Sequence, residues 1–161
     1  MREATEADLP RLVELLFQLS QEGEIAEREP HSPTAVELEA LKTLQSSPAS
    51  SVLVMEVEGR VEGTVTLYVV QNISHGGRPF AIVENVIVDE QNRGLGFGRV
   101  LMDEAEARAR AAGCYKIALT SNQKRDDAHR FYSRLGYRQT HHGYTKYFDL
   151  LPADRQRVVR A

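Results

Sequence analysis

The feature that most constrains this chain is a change of hydrophobic period across the glycine-rich stretch Arg93-Gly94-Leu95-Gly96-Phe97-Gly98. Before it, Phe80 to Val88 is an apolar run of strand type, followed by the polar stretch Asp89-Glu90-Gln91-Asn92. After it, Met102, Ala105, Ala109 and Ala112 fall on one face of a helical repeat that Gly113 closes. A strand, a glycine turn and a helix in that order leave unpaired backbone N–H groups converging on one spot, at the positive end of the helix dipole. Such a spot binds phosphate, and glycine lets the backbone approach the anion without an intervening Cβ. A tight strand-to-helix turn with no ligand is the plain alternative.

Two nucleotide motifs share this outline, and neither fits. A P-loop requires Lys and then Ser or Thr after its last glycine, whereas Arg99-Val100 follows here. A dinucleotide fingerprint has its third glycine one residue later and an acidic residue ending the next strand, where this chain has Thr120 and Ser121.

The rest of the chain alternates helical and strand periods. Leu9, Leu12, Val13, Leu16 and Leu19 predict an amphipathic helix. It starts near Thr5, where Asp8 imitates a capping box, or at Asp8, which places Pro10 in the first turn. Val36, Leu38, Leu41 and Leu44 predict a shorter helix ended by Ser46-Ser47-Pro48. Val52 to Val57 and Val61 to Val70 predict a hairpin around Glu58-Gly59-Arg60, and Asn72 to Arg78 a loop. Tyr115 to Thr120 reads as a strand, Asp126 to Leu135 as a helix ended by Gly136, and Tyr137 to Leu150 as two short strands around His142-Gly143. The sum is an α/β sandwich of mixed pairing. With 161 residues and 42% hydrophobic content, a single domain over residues 1–150 is expected, with 151–161 as a C-terminal tail.

A net charge of −3 gives no global electrostatic reason to expect nucleic acid or an anionic membrane as partner. The single cysteine, Cys114, cannot form an internal disulfide or a cysteine-based metal site, and it suits a reducing compartment. Charged residues interrupt Met1 to Leu9, and no apolar stretch approaches the roughly 20 residues that span a bilayer. A cytoplasmic location is therefore expected, with no nucleic acid, no membrane and no metal. His141 and His142 do not alter that, because neighbouring strand side chains point to opposite faces.

Three segments together, Val86-Ile87-Val88, Arg93 to Gly98, and Ala128-His129-Arg130-Phe131-Tyr132-Ser133-Arg134-Leu135-Gly136-Tyr137, resemble the GNAT superfamily of N-acetyltransferases. That family's phosphate turn has the form Q/R-x-x-G-x-G/A, which Arg93, Gly96 and Gly98 satisfy. Its late helix commonly reads A-x-x-F-Y-x-x-x-G-F/Y, as here. The resemblance runs from Val61 to Tyr137 and implies a mixed, mostly antiparallel sheet of six to seven strands flanked by about four helices. It also implies acetyl-CoA as co-substrate and an amine as acceptor, joined by direct attack within a ternary complex. A homodimer is left open.

Carried onto matching positions, the resemblance implies that the backbone of Val86, Ile87 and Val88 pairs with the pantetheine arm. The Val88 N–H would then donate to the thioester carbonyl, and Arg93, Gly94, Leu95, Gly96, Phe97, Gly98 and Arg99 would hold the pyrophosphate. Tyr132 stands where relatives often have the tyrosine that protonates the leaving sulfur, and the motif favours that role over the plain alternative of a packing aromatic on an amphipathic helix. Many relatives have an asparagine at position 125 that touches the coenzyme; this chain has Arg125, with Asn122 as a substitute. Glu84 is the expected base, with a solvent-facing strand glutamate as the alternative, and His75, His141 and His142 as other bases.

The acceptor is expected to be a small cationic or zwitterionic amine, because Glu22, Glu24, Glu27 and Glu29 fall where relatives build part of the acceptor cleft. Lys124-Arg125, Ala128 to Tyr132 and Thr145-Lys146 resemble small-molecule amine acetyltransferases, including those acting on aminoalkylphosphonates. Gly113-Cys114-Tyr115-Lys116-Ile117 is similar to a stretch in glucosamine-phosphate acetyltransferases. A protein N-terminus or lysine as acceptor, and a coenzyme-binding sensor without catalysis, remain the competing readings.

Overall fold

In the computed structural model, residues 1–21 and 30–148 are described. Strands β1 (Arg2–Glu3), β2 (Ser50–Val57), β3 (Arg60–Val70), β4 (Phe80–Val88) and β5 (Ile117–Ala118) form one sheet in the order β1-β2-β3-β4-β5. Every pairing is antiparallel except β4 with β5, which is parallel. The β2–β3 hairpin turns through Glu58 and Gly59, both at positive φ, as the Glu-Gly-Arg sequence predicts.

The strands are apolar nearly throughout because helices cover both faces of the sheet, and alternate side chains go to opposite cores. On one face Leu53, Met55, Val65, Leu67, Ala81 and Val83 pack with Leu101, Met102, Ala105 and Ala109 of α3 (Phe97–Ala111) and with Tyr132 of α4 (Asp126–Arg134). On the other, Val52, Val54, Val61 and Ile87 pack with Leu9, Leu12, Val13 and Leu15 of α1 (Leu9–Ser20) and Leu41 of α2 (Ala35–Ser46). Leu53, Leu15 and Leu101 are wholly buried, and truncating any of them to alanine costs about 2–5 kcal/mol.

Both readings of the first helix start describe part of the truth. Thr5 begins a 3-10 turn over Glu6–Asp8, with its N–H and hydroxyl donating to Asp8, and α1 follows at Leu9 with Pro10 in its first turn. Arg2 then binds Asp8 through two bonds of 2.6 and 2.8 Å, which tie β1 to the start of α1 and lower the Asp8 carboxyl to about 2.

The expectation of six to seven strands is corrected: the sheet of the described residues has five. The two-residue β1 was not anticipated, and of the predicted strand Tyr115 to Thr120 only Ile117–Ala118 pairs in the sheet, against Ala81 and Ile82 of β4. The two short strands expected in Tyr137 to Leu150 are absent over the described residues 137–148. With β5 so short, the segment has little ladder to extend, and its Tyr144 and Phe148 stand exposed instead of packing. The expected tail, 151–161, lies outside the described residues. Among the described residues no helix is long and apolar enough to cross a membrane.

Candidate active site

A single inserted residue creates the site. β3 and β4 pair regularly from Val70↔Phe80 to Thr66↔Glu84, then the register shifts and resumes at Thr64↔Ile87. Asn85 takes the slack at φ 57°, a left-handed conformation that asparagine tolerates better than most residues, and its side chain leans toward Thr66 Oγ1 at 3.5 Å. The bulge reverses which residues face which neighbour. Before it, the Ala81 N–H donates toward β5, to Lys116 O at 2.9 Å; after it, the Asp89 N–H donates toward β3, to Glu62 O at 2.9 Å. By alternation the N–H groups of Val86 and Val88 point away from β3, along an edge that β5 has left. Side chains follow the same switch, since Val86 and Val88 pack on the α3 core and Ile87 on the α1 core.

That open edge leads to the glycine turn. Gly94 and Gly96 sit at φ 82° and 88°, and a Cβ on either would meet no protein atom within 4 Å. The glycines here serve backbone conformation and leave open space above the turn, as a close-approaching anion requires. Helix α3 starts directly after Gly96, whose carbonyl accepts from Arg99 and Val100 at 3.0 and 3.3 Å. The N–H groups ahead of those have no acceptor within the helix. Gly98 has a different reason: a Cβ there would lie 3.1 Å from the Phe131 ring, so the turn and α4 meet face to face. Arg93 donates from Nε to the Val88 carbonyl at 3.2 Å, bracing the peptide that ends the open edge. Phe97 packs into the core, while Leu95 and Arg99 are exposed, the latter 3.6 Å from Asp103.

At the other end of the edge, a cleft of about 460 Å³ is lined by Leu19 and Ser20 of α1, Val83 to Val86, Leu119 to Asn122, Arg125, Tyr132 and Tyr147. Glu84 and Tyr132 therefore share one cavity. Glu84 reaches the solvent of the cleft, but the surrounding protein desolvates it and raises its carboxyl above the ordinary value of 4.5. Burial raises the Tyr132 phenol above 10; the Arg125 charge pulls it down and the Glu84 charge pushes it further up. The phenol thus stays a protonated donor. The ring is fixed by edge contacts with Phe131 and Tyr137, with centroids at 5.1 and 5.9 Å.

Asn122 shapes the entry to α4: its side-chain oxygen accepts from the Lys124 N–H at 2.9 Å and its carbonyl from the Arg125 N–H at 3.0 Å. Both Asn122 and Arg125 line the cleft beside Tyr132, and Ser121 Oγ is buried there without a hydrogen-bond partner among the described residues. His75, His141 and His142 do not line the cleft; His75 stacks on Tyr115 at 4.3 Å. Glu22, Glu24, Glu27 and Glu29 lie outside the described residues. Sequence reasoning missed Tyr68, which stands on the same face of the sheet as Glu84 and whose phenol is raised by burial and then by the Glu84 charge. It also missed the bulge. The one available signal was the polar pair Glu84-Asn85 interrupting an apolar strand.

Among known proteins, the chain is 30% identical over 138 residues to the glucosamine 6-phosphate N-acetyltransferase of Trypanosoma brucei brucei, covering 86% of this chain and 88% of that one. It is 40% identical over 88 residues to the aminoalkylphosphonate N-acetyltransferase of Salmonella typhimurium, covering 55% and 56%. A solved structure from Agrobacterium tumefaciens, described as an acetyltransferase, superposes with a TM-score of 0.82 at 30% identity, over 91% of this chain and 98% of that one. The profile of the acetyltransferase (GNAT) family matches residues 13–137, spanning the bulged strand, the glycine turn and α4, and the chain belongs to that family of acetyl-CoA-dependent acyltransferases.

Proposed function

We propose that this enzyme transfers the acetyl group of acetyl-CoA to the primary amine of a small molecule by direct attack in a ternary complex. The observation that carries the reading is the placement of Glu84 and Tyr132 in one cleft, beside the open backbone edge that runs from it to the glycine turn. On this reading one domain, residues 1–150, holds both substrates.

Each group then has one task. The amides of the glycine turn and the first turn of α3 hold the pyrophosphate, with Arg93 and Arg99 adding charge. Val86 and Val88 pair with the pantetheine arm through their outward backbone groups, and the Val88 N–H receives the thioester oxygen as charge develops on it. Glu84 takes a proton from the ammonium of the acceptor, directly or through water, freeing the nitrogen lone pair to attack the thioester carbon. The attacked carbon becomes tetrahedral, and its nitrogen sheds a second proton to solvent. The carbon–sulfur bond then breaks to leave the neutral amide and a thiolate, whose sulfur the Tyr132 hydroxyl hydrogen-bonds. Reference values near 10 for the phenol and 8.5 for a thiol make full proton transfer uphill by about 2 kcal/mol, and the raised phenol makes it more so. Tyr132 therefore acts mainly through the hydrogen bond, with Arg125 placing positive charge beside the thiolate before solvent completes its protonation.

Two relatives are named for acceptors that combine an amine with a phosphorus oxyanion, and this supports a zwitterionic small amine here. The test is a panel of amines with acetyl-CoA, read as free thiol: amino sugar phosphates, aminoalkylphosphonates, plain amines and peptides. Saturable turnover with a small amine is expected. Turnover with peptides alone would move the acceptor to protein, and tight coenzyme binding with no turnover on any amine would make the domain a sensor.

A further inference from the structure

Beneath the glycine turn lies a charged network that the transfer chemistry does not use. Asp89 directly follows β4, with its side chain 4% exposed, and Glu62 of β3 stands beside it at 10%. Arg11 of α1 reaches both: its Nη2 pairs with Asp89 and lies 3.4 Å from Glu62, and its Nε donates to Val61 O at 2.9 Å. Gln18, two turns further along α1, donates to Asp89 at 3.2 Å and accepts from the Glu90 N–H at 3.1 Å. Asp89 also accepts from the Gln91 N–H at 2.9 Å, and Asn92 donates from its side chain to Glu62 at 3.0 Å. Residues 89–92 are thus each held by α1, by β3 or by one another, and Arg93 opens the glycine turn immediately after.

Two buried carboxylates would repel a polyanion bound next to them, so the location demands compensation. Burial opposes ionisation of Asp89, yet Arg11, the Gln91 amide and Gln18 hold its carboxyl below the ordinary range. Arg11 supplies compensating charge to Asp89, and Arg60 lies 3.7 Å from Glu62 and supplies the rest. Arg11 with Gln18 attaches the pair to a helix whose last turn, Leu19 and Ser20, walls the cleft.

We propose that Asp89, Arg11 and Gln18 are positioning residues for the phosphate turn, fixing from helix α1 the point at which Arg93 to Gly98 leaves the sheet. The proposal rests on the reading of that turn as the cradle of the coenzyme's pyrophosphate. It separates the network from a general support of the fold, because only a donor that carries the pyrophosphate should feel its loss.

The test compares acetyl-CoA with S-acetylpantetheine, which has the same thioester arm and no pyrophosphate, in wild type, Gln18→Leu and Asp89→Asn. Gln18→Leu removes both bonds of the glutamine at a half-buried helix end without creating a buried charge, so it carries the test if Asp89→Asn folds poorly. Expected is a fall of about tenfold in kcat/KM for acetyl-CoA in Gln18→Leu, expressed in KM, with kcat/KM for acetylpantetheine unchanged within about twofold. An equal loss with both donors, or no loss with either, overturns the proposal. A wild type that uses both donors equally well would remove the pyrophosphate from the glycine turn, and the proposal with it.

Discussion

The two halves of β4 are consecutive in sequence and opposite in use. Up to Glu84 the strand is paired with β3 on one edge, and Ala81 and Ile82 are paired with β5 on the other. Past the bulge, Ile87 and Val88 pair again with β3, while no strand of the described residues pairs with the other edge from Val86 to Val88. The first half anchors the sheet; the second carries the row of backbone groups proposed to pair with the coenzyme. Their apolar composition is the same. What separates them is the residue inserted at Asn85, which turns the outward backbone groups of an interior strand to an open edge without a change of side-chain chemistry.

Proline tests the difference most severely. In Val88→Pro the missing N–H belongs to the open edge, so the fold should survive while kcat falls by about 10²–10³, the loss expected for an oxyanion donor. In Ile87→Pro the missing N–H faces β3, and thermal melting should show a protein destabilised by about 3 kcal/mol or more. Equal destabilisation of the two variants would erase the distinction between the edges.

Removal of one hydroxyl comes next. Tyr132→Phe keeps the ring packing and should lower kcat about 100-fold, or roughly 2.7 kcal/mol, with acetyl-CoA affinity little changed. The wild-type rate should fall only above pH 10, because the phenol is raised by burial, and the Phe variant should lack that limb. Full kcat in the variant, with chemistry limiting, would leave Tyr132 a packing residue.

Glu84→Gln should cost about tenfold to 100-fold in kcat. A base must be deprotonated, and this carboxyl is raised above 4.5, so the wild-type rate should drop as pH falls through that higher value while the Glu84→Gln variant shows no such limb. Stability has the opposite sign. Between 4.5 and the raised value the native state binds more protons than the unfolded one, so stability is lost as pH rises, and Glu84→Gln should melt higher at neutral pH. A variant that is slower at every pH by the same factor would point to a role other than proton transfer.

The smallest effect concerns the bulge itself. Asn85→Gly should leave stability within about 0.5 kcal/mol, whereas Asn85→Val, a β-branched residue forced to φ 57°, should cost about 1–3 kcal/mol in denaturant titrations. Indifference to valine would mean that the strand can discard the bulge.

The elements with a strong period were legible in the sequence: α1, α2, α3, the β2–β3 hairpin and β4 fall where Leu, Val and Ala spacing puts them, and α4 falls where Gly136 and the Ala128 to Tyr137 motif place it. The sheet edges were not. Tyr137 to Leu150 has the aromatic and polar mix of strands, but pairing depends on what a neighbour offers, and β5 offers two residues. Likewise Tyr68 meets Glu84 only through the β3–β4 register, and the contact of Gly98 with Phe131 joins two motifs that look independent in the sequence. Side-chain identity was readable where chemistry is local; proximity across strands needed the fold.

Everything proposed for the transfer depends on the backbone of Val86 and Val88 being free until acetyl-CoA pairs with it, while that of Ala81 and Val83 is committed to the sheet. Residue-resolved amide hydrogen exchange, with and without acetyl-CoA, addresses this directly. Fast exchange is expected at Val86 and Val88 in the free protein, with strong slowing at both and at Leu95 to Gly98 once the coenzyme binds, and little change at Ala81, whose N–H is already bonded to Lys116 O. Protection at Val88 in the free protein, or exchange there that acetyl-CoA leaves untouched, would contradict it.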